Sequence, residues 1–457
     1  MPPLVNEYIA YEGISFLTWL WIITFTLFTL LSVRVFINII ASLRSSRQNK
    51  STYDDNDGYL PYVSIILPIY NESRVINRLL NACTSIDYTN YEIIIADDST
   101  DEEAIMKIRQ WKKHPRIKIV HRNSRKGFKA GAVNNALKYI HPLSQYVLIF
   151  DADYVPPPDI IKKMLKHFND ERVAAVQGYT KHILNEDKNF ITRSVRMMFT
   201  YYSMIEMPGR RKIGGFVPLM GSVLMIRREV LESVMGFNEK SLTEDWDLAS
   251  VIRMAGYKIV FDENIQVPAE CPNSFRSLIH QQIRWAEGIT RDTKKRLISI
   301  LKNKNINMIS KIDFIISGFY GLQSILGIFS YLIGFIKPFM NINIFLNLGP
   351  LGYYFLYIAP NIYPLSLITG TIIGLYKEHE LSKIPWILDL IIVMSALTPF
   401  MAYGTLRGLL LDNGLWLRTP KTGEITKGDL AGEEEPKERE PEPPIYIRPI
   451  LQWVLSY

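Results

Sequence analysis

The sequence predicts an α/β domain with a mostly parallel sheet, held between an N-terminal transmembrane helix and a C-terminal bundle of membrane helices. Two observations lead there. Long apolar stretches occur near both ends of the 457 residues, and 48% hydrophobic content coexists with 21% charge, so a soluble domain is joined to membrane segments. Between those stretches, short β-branched runs alternate with amphipathic ones, as in a sheet covered by helices on both faces.

Residues 14–41 form an apolar stretch interrupted only by Arg34, longer than the roughly 20 residues needed to cross a bilayer. A cleaved signal peptide does not fit: the run is too long, no basic region precedes it and no small-residue cleavage site closes it. Glu7 and Glu12 precede the stretch, whereas Arg44, Arg47 and Lys50 come after it, so the positive-inside bias places the N-terminus outside and the next domain in the cytosol. Residues 1–50 are therefore read as an anchoring segment.

A cytosolic domain is expected over 51–272, entered through an acidic linker at 51–58. Strands are read at 63–67, 91–96, 117–120, 146–150 and 173–176, with helices at 72–85, 101–111, 130–140 and 159–168. Parallel strands joined by right-handed helical crossovers place ligands beyond the carboxyl ends of the strands. Three polar clusters fall there: Tyr70-Asn71-Glu72, Asp97-Asp98-Ser99 and Asp151-Ala152-Asp153.

Residues 273–311 read as interfacial amphipathic structure, with Phe275, Leu278, Ile279, Gln282 and Trp285 toward one side of a long helix. Membrane helices, three or four, are expected over 312–411. One crosses at 312–336, the proline-broken stretch 344–376 is read as two short helices, and 384–411 crosses again. The cytosolic tail, 412–457, is rich in Glu, Lys and Pro over 423–444, which predicts disorder, and ends in an apolar segment at 445–457 too short to cross.

A net charge of +7 suits an anionic leaflet or a polyphosphate-bearing substrate; the basic residues form no long basic and aromatic patch, which argues against nucleic acid. Cys83 and Cys271 lie far apart and read as free thiols, and the seven histidines show no metal-binding spacing.

Several residues carry chemistry beside an ordinary structural role. In an extended segment Asp151 and Asp153 point the same way, so they either close a strand as an acidic turn or share a divalent cation such as Mg²⁺ with substrate phosphates. Asp97, Asp98 and Glu72 could accept hydrogen bonds from a nucleoside, or, with Ser99 and Asp101, serve only to cap helices. In Arg125-Lys126-Gly127-Phe128-Lys129-Ala130-Gly131-Ala132 the Lys-Ser/Thr ending of a nucleotide P-loop is missing, yet Lys129 could offer charge to a diphosphate. Thr243 is a plausible N-cap before Glu244, Asp245 and Asp247; Asp245 is also the candidate base for an incoming hydroxyl. Gln281, Arg284 and Trp285 share a helix face that either anchors in the interface or binds phosphate and a sugar ring.

Taken in order, Asp98, Asp151-Ala152-Asp153, Thr243-Glu244-Asp245 and Gln281-x-x-Arg284-Trp285 resemble membrane-embedded processive family 2 glycosyltransferases, the group of cellulose, hyaluronan and chitin synthases. The wording is most similar to the cellulose-synthase-like glucomannan and mannan branch, including Arg418-Thr419-Pro420-Lys421 after the membrane helices. The resemblance implies a GT-A-type fold and transfer of a hexose, with inversion, from a nucleotide sugar of the UDP-glucose or GDP-mannose type. It implies a growing β-linked polysaccharide as acceptor, coupled to export, in the plasma membrane or a Golgi-like endomembrane. Under it Tyr70, Glu72, Asp97, Asp98, Lys129, Gln281 and Arg284 bind the donor, and Asp151 and Asp153 hold nucleotide and Mg²⁺ or Mn²⁺. Asp245 is the base, with Glu244, Trp285, Gly221 and Ser222 on the acceptor side. Gly221 and Ser222 lack the Phe-Cys or Phe-Asn usual before them, which leaves the acceptor open. Two other readings stay available: single-sugar transfer to a polyprenyl phosphate or glycolipid, and a non-catalytic membrane scaffold.

Overall fold

The computed structural model describes residues 3–45, 60–336, 349–412 and 421–426. The chain opens with helix α1 (Pro3–Ser45) and then alternates. The order is β1 (Tyr62–Ile69), α2 (Ile76–Thr84), β2 (Tyr91–Asp97), α3 (Glu102–Gln110), β3 (Ile117–His121), α4 (Phe128–Leu137), β4 (Ser144–Ile149), α5 (Ile160–Leu165) and β5 (Val173–His182). Helix α6 (Phe190–Tyr201) runs through a π-helical turn, Tyr202–Glu206, into α7 (Met207–Ile213). Then come β6 (Leu224–Arg227), α8 (Arg228–Ser233), α9 (Glu244–Met254), β7 (Lys258–Ala269), α10 (Phe275–Lys302), α11 (Met308–Gly318) and α12 (Leu322–Ile336). Two long helices end the described chain, α13 (Pro350–Lys377) and α14 (Trp386–Leu410). The 51–58 linker, Arg418 to Pro420 and the 445–457 segment lie outside the described residues.

The seven strands form one sheet in the order β3-β2-β1-β4-β6-β5-β7. Six run in one direction; only β6 is antiparallel to both of its neighbours. Near-continuous burial along β1 and β2 reflects apolar packing on both faces, which is why these strands read as unbroken Ile, Leu and Val runs. The reversal of β6 pairs Leu224 with Ile149, so the start of β6 lies beside the end of β4. The carboxyl ends of β1, β2, β4, β5 and β7 and the loop entering β6 therefore share one edge.

Neither β6 nor β7 is evident from sequence. Four residues are too few for a periodic signal in β6, and Asp262-Glu263-Asn264 inside β7 reads as a turn, where the structure has a register irregularity. The middle membrane stretch is also corrected: 350–377 is one helix, not two. Pro350 sits in its first turn, and a π-helical segment, Tyr354–Ile358, precedes Pro360 and Pro364, relieving the clash a proline ring makes with the preceding turn. The stretch expected to cross at 312–336 is bent by 55° between α11 and α12.

Three described helices are long and apolar enough to cross a membrane, four if the bent pair counts as one span. Helices α1 and α13 run parallel: Trp21 Nε1 donates to Phe355 O at 2.8 Å, and near the other end Lys377 Nζ lies 3.5 Å from Ser42 O. Helix α14 behaves differently, because both its ends rest on helices of the sheet domain. Asp389 pairs with Arg193 of α6 at 3.3 Å; Arg407 pairs with Glu287 of α10 at 2.9 Å, and Lys294 donates to Leu409 O.

A buried ionic network fixes the α13–α14 connection to the sheet. Arg196 of α6 is fully buried and donates to Glu186 (3.0 Å), Glu378 (2.8 Å), Glu380 (2.8 Å) and Tyr179 (2.9 Å), while Lys383 bridges Glu186 and Glu380. Removing one partner of such a network leaves desolvated charge behind, which costs far more than the net worth of the pairs. Arg196→Leu should destabilise the protein by roughly 3–5 kcal/mol, read as a lower melting temperature of the lipid-embedded chain; an unchanged melting temperature would show that water reaches the cluster.

Candidate active site

Short polar side chains tie the strand ends together. Asn71 takes a left-handed conformation, φ 53°, and its Oδ1 accepts from the Thr100 and Asp101 amides, while its own amide donates to Ser99 Oγ. Asp101, not Ser99, caps α3, accepting from Ala104 N at 3.0 Å. Asp97 is buried and fully engaged, one oxygen on Ser99 N and the other on His121 Nδ1. Asp98 is buried beside it and receives a forked contact from Arg122, at 2.7 and 2.5 Å. Tyr70, at the end of β1, carries the Arg125 guanidinium 3.3 Å over its ring, and Glu72 comes next, half-buried, at the entry to α2.

The next cluster forms where β4 and β6 meet. Lys129, in the first turn of α4, donates to Asp151 Oδ1 at 2.6 Å and to Gly221 O at 2.8 Å. Gly127 (φ 73°) and Phe128 (φ 47°) make the turn that aims it. Ser222 Oγ accepts from Asp151 N, and Gln177 of β5, wholly buried, holds the 220–223 loop by accepting from Met220 N and donating to Ser222 O. Gly221 has φ 75°, and a Cβ there would lie 3.1 Å from an Asp245 carboxylate oxygen and 3.2 Å from Lys129 Nζ. Glycine thus lets Asp245, Lys129 and Asp151 converge.

Asp245 lies in the first turn of α9 beside buried Glu244. Thr243 does not cap that helix as its sequence suggests; its hydroxyl donates to Asp292 of α10, which also accepts from Ser241. Burial first and Glu244 second push the Asp245 carboxyl up to about 7, against Lys129, the Trp246 amide and Arg284. Burial opposes the charge of Lys129, but Asp151, Glu244 and Asp245 outweigh it and raise the ammonium above its usual range. Arg284 is held below its usual value, chiefly by burial, despite the same three carboxylates. Gln281 Oε1, on the same helix face, is buried without a hydrogen-bond partner among the described residues.

Asp153 faces another cation. Its Oδ2 binds Lys421 Nζ at 2.7 Å, while Oδ1 is buried without a partner among the described residues. Lys421 arrives on a short segment moored to Glu270, just past β7: Thr422 N and Gly423 N both donate to Glu270 Oε2, and Arg78 holds the other oxygen. Beyond lies an aromatic path. His182, whose imidazole burial pushes down to about 4, contacts Phe199 edge-on, and Phe199 contacts Trp285.

The structure therefore brings Lys129, Asp151, Gly221, Ser222, Glu244, Asp245 and Arg284 together. Asp153 lies two residues beyond Asp151, Asp97 and Asp98 lie along the edge toward β3, and Trp285 lies on the α6 side. Arg122, Gln177, Glu270 and Asp292 escape sequence reasoning because each sits in no recognisable spacing with the residue it serves.

Carboxylates gathered at the carboxyl edge of a mostly parallel sheet mark the ligand-binding side of an α/β domain. Residues 61–288 match the family described as "Glycosyltransferase like family 2", and the chain belongs to that family. It is 27% identical over 381 residues to the "Probable glucomannan 4-beta-mannosyltransferase 10" of Arabidopsis thaliana, an alignment covering 81% of this chain and 67% of that one. To the "Glucomannan 4-beta-mannosyltransferase 1" of Oryza sativa subsp. japonica it is 30% identical over 271 residues, 57% of this chain and 51% of the relative. The chain thus spans from about half to two thirds of these relatives. Among solved structures, a mannosyltransferase of Pyrobaculum calidifontis, in complex with GDP-Man and Mn²⁺, matches 86% of this chain and 98% of its own with a TM-score of 0.57 at 20% identity, a likeness of fold.

Proposed function

We propose that this glycosyltransferase moves a hexose of the mannose type from a guanosine-diphosphate sugar onto a growing β-linked polysaccharide, with inversion at C1. The observation that carries the reading is the position of Asp245: a carboxyl near neutrality, beside the Lys129 and Asp151 pair and screened only by a glycine. The glucomannan relatives and the GDP-Man complex favour the mannosyl donor over UDP-glucose. In the proposed step the acceptor hydroxyl oxygen forms a bond to C1 as its proton passes to Asp245. The bond from C1 to the phosphate oxygen breaks, and the charge stays on the departing diphosphate, facing Lys129 and Arg284.

Asp151 and Asp153 fit a divalent cation of the Mg²⁺ or Mn²⁺ type. Two carboxylates one residue apart, one with an unpartnered buried oxygen, supply part of a coordination shell that phosphates and water complete. Among the described residues no set of three or more His, Cys, Asp or Glu side chains gathers, so the donor itself would be a ligand. When bound, such a cation neutralises charge on the leaving diphosphate.

The membrane arrangement proposed is three crossings, α1, the bent α11–α12 pair and α13, with α14 lying in the interface. The 421–426 segment contacts Asp153 on the catalytic side, and both ends of α14 rest on α6 and α10. This departs from the expectation that 384–411 crosses. Cysteines placed at Leu381 and at Leu411 should both react with an impermeant maleimide from the catalytic side of sealed vesicles; labelling of one alone returns α14 to a crossing.

Asp245→Asn should keep binding guanosine diphosphate while transfer falls by about 10²–10⁴-fold. Because the base works deprotonated, kcat/KM should fall about tenfold per pH unit below about 7, and a flat profile from pH 5 to 8 would exclude Asp245. Chelation should abolish transfer and Mn²⁺ restore it, with Asp153→Asn weakening Mn²⁺-dependent binding of guanosine diphosphate by tenfold or more in calorimetry. Transfer that survives chelation would remove the cation from the mechanism.

A further inference from the structure

Arg122 belongs to no motif of the sequence, and the reaction does not use it directly. It comes straight after β3, and its backbone amide donates to Asp97 O at 2.9 Å, extending the β2–β3 ladder by one residue. From there its side chain reaches two separate pieces of chain. Nε and Nη2 take the two oxygens of Asp98, Nη1 donates to Lys126 O at 3.1 Å, and Nη2 also donates to Phe128 O at 3.2 Å.

Apolar burial does little to hold loop 123–128. Ser124 and Lys126 are exposed, and Phe128 is 38% exposed, so its conformation must be fixed by polar contacts. The loop nevertheless ends in the left-handed Gly127 and Phe128 turn that sends Lys129 to Asp151 and Gly221. Gly131 shows how closely the parts are packed: a Cβ there would stand 2.1 Å from Lys126 O and 2.8 Å from Arg122 Nη1. A continuous polar path thus runs from Asp98 through Arg122 and the loop carbonyls to Lys129 and Asp151, across the ends of β2, β3 and β4.

We propose that Arg122 is the positioning residue of the donor site, a planar fork that fixes the Lys129 ammonium relative to Asp98 so that one ligand spans both. The inference rests on the proposed function, with Lys129 facing the diphosphate, and on the sequence reading of Asp98 as a donor-binding residue on the nucleoside side. Guanidinium geometry is needed because four acceptors on two segments are served at once from one plane; an ammonium offers a point charge with three donors and cannot reproduce the fork. Arg122→Lys keeps the charge beside Asp98 but releases the loop.

The test is a double-mutant cycle on the full chain in lipid nanodiscs, reading guanosine diphosphate affinity with Mn²⁺ present, together with donor KM and kcat. Arg122→Lys should weaken binding and raise donor KM by tenfold or more, with kcat within about threefold and the melting temperature nearly unchanged. Lys129→Met should lose a similar factor, and the double variant should be no weaker than the weaker single, because Arg122 acts through Lys129. Losses that multiply would overturn the inference, as would an Arg122→Lys variant within twofold of the parent while Lys129→Met is impaired. If Arg122→Lys, Lys129→Met and Asp98→Asn all leave binding intact, the donor-site reading itself fails. Should Arg122→Lys not fold, hydrogen exchange on the parent decides: the 123–128 amides must be protected without nucleotide, and free exchange there rejects the fork.

Discussion

Asp151 and Asp153 close one strand within two residues of each other, and the surrounding fold is arranged so that their charge is met. Each carboxylate has its own lysine, brought from a different part of the chain: Lys129 from the helix after β3, Lys421 from beyond the last long helix. Like charges so placed would repel without such partners, and the partners sit where a cation and a diphosphate are proposed to bind. A ligand that brings its own positive and negative charge can exchange with both ammonium groups at little electrostatic cost. This need for cations also explains the crowding around Asp245: Lys129 leans toward it, while Glu244 and burial push its proton affinity the other way.

The reversed strand β6 is the geometrical counterpart. Were it parallel, the chain would enter the sheet at the opposite edge, and Gly221 and Ser222 could not stand beside Asp151. Running backwards, it delivers a loop instead of a strand end, and that loop is shaped by Gln177 and by left-handed Gly221 and Val223. Space between Lys129 and Asp245 is thus made by removing a side chain, which a packed edge otherwise would not allow.

Much of this was legible in the sequence and some was not, for physical reasons. Strands β1, β2 and β4 were evident because burial on both faces demands near-unbroken apolar runs, and β3 and β5 because short β-branched or apolar runs follow each helix in turn. β7 was hidden because Asp262, Glu263 and Asn264 look like a turn and in fact form the irregular middle of a paired strand. The prolines of α13 suggested two helices; a π-helical segment, silent in any periodicity, accommodates them. Around the site, residues adjacent in sequence to a strand end were readable, since topology dictates where strand ends go. Asp292 beneath Thr243, and Glu270 beneath Thr422, depend on contacts between distant segments that no local pattern encodes.

The anchoring of the sheet domain to its apolar helices obeys a similar logic. Arg34, within α1, reaches Glu206 and Asp313, and Arg210 joins Glu206 from the next turn of its own helix. On the other flank Arg196 gathers three glutamates, two from the α13–α14 connection. Both networks are largely withdrawn from water, so neither can slide: a buried charge finds its partners in one geometry and none nearby. The first network fixes α1 against α7 and α11, and the second fixes the α13–α14 connection against α6. For the proposed reaction such rigidity matters, because the distance from base to acceptor is then set before any substrate binds.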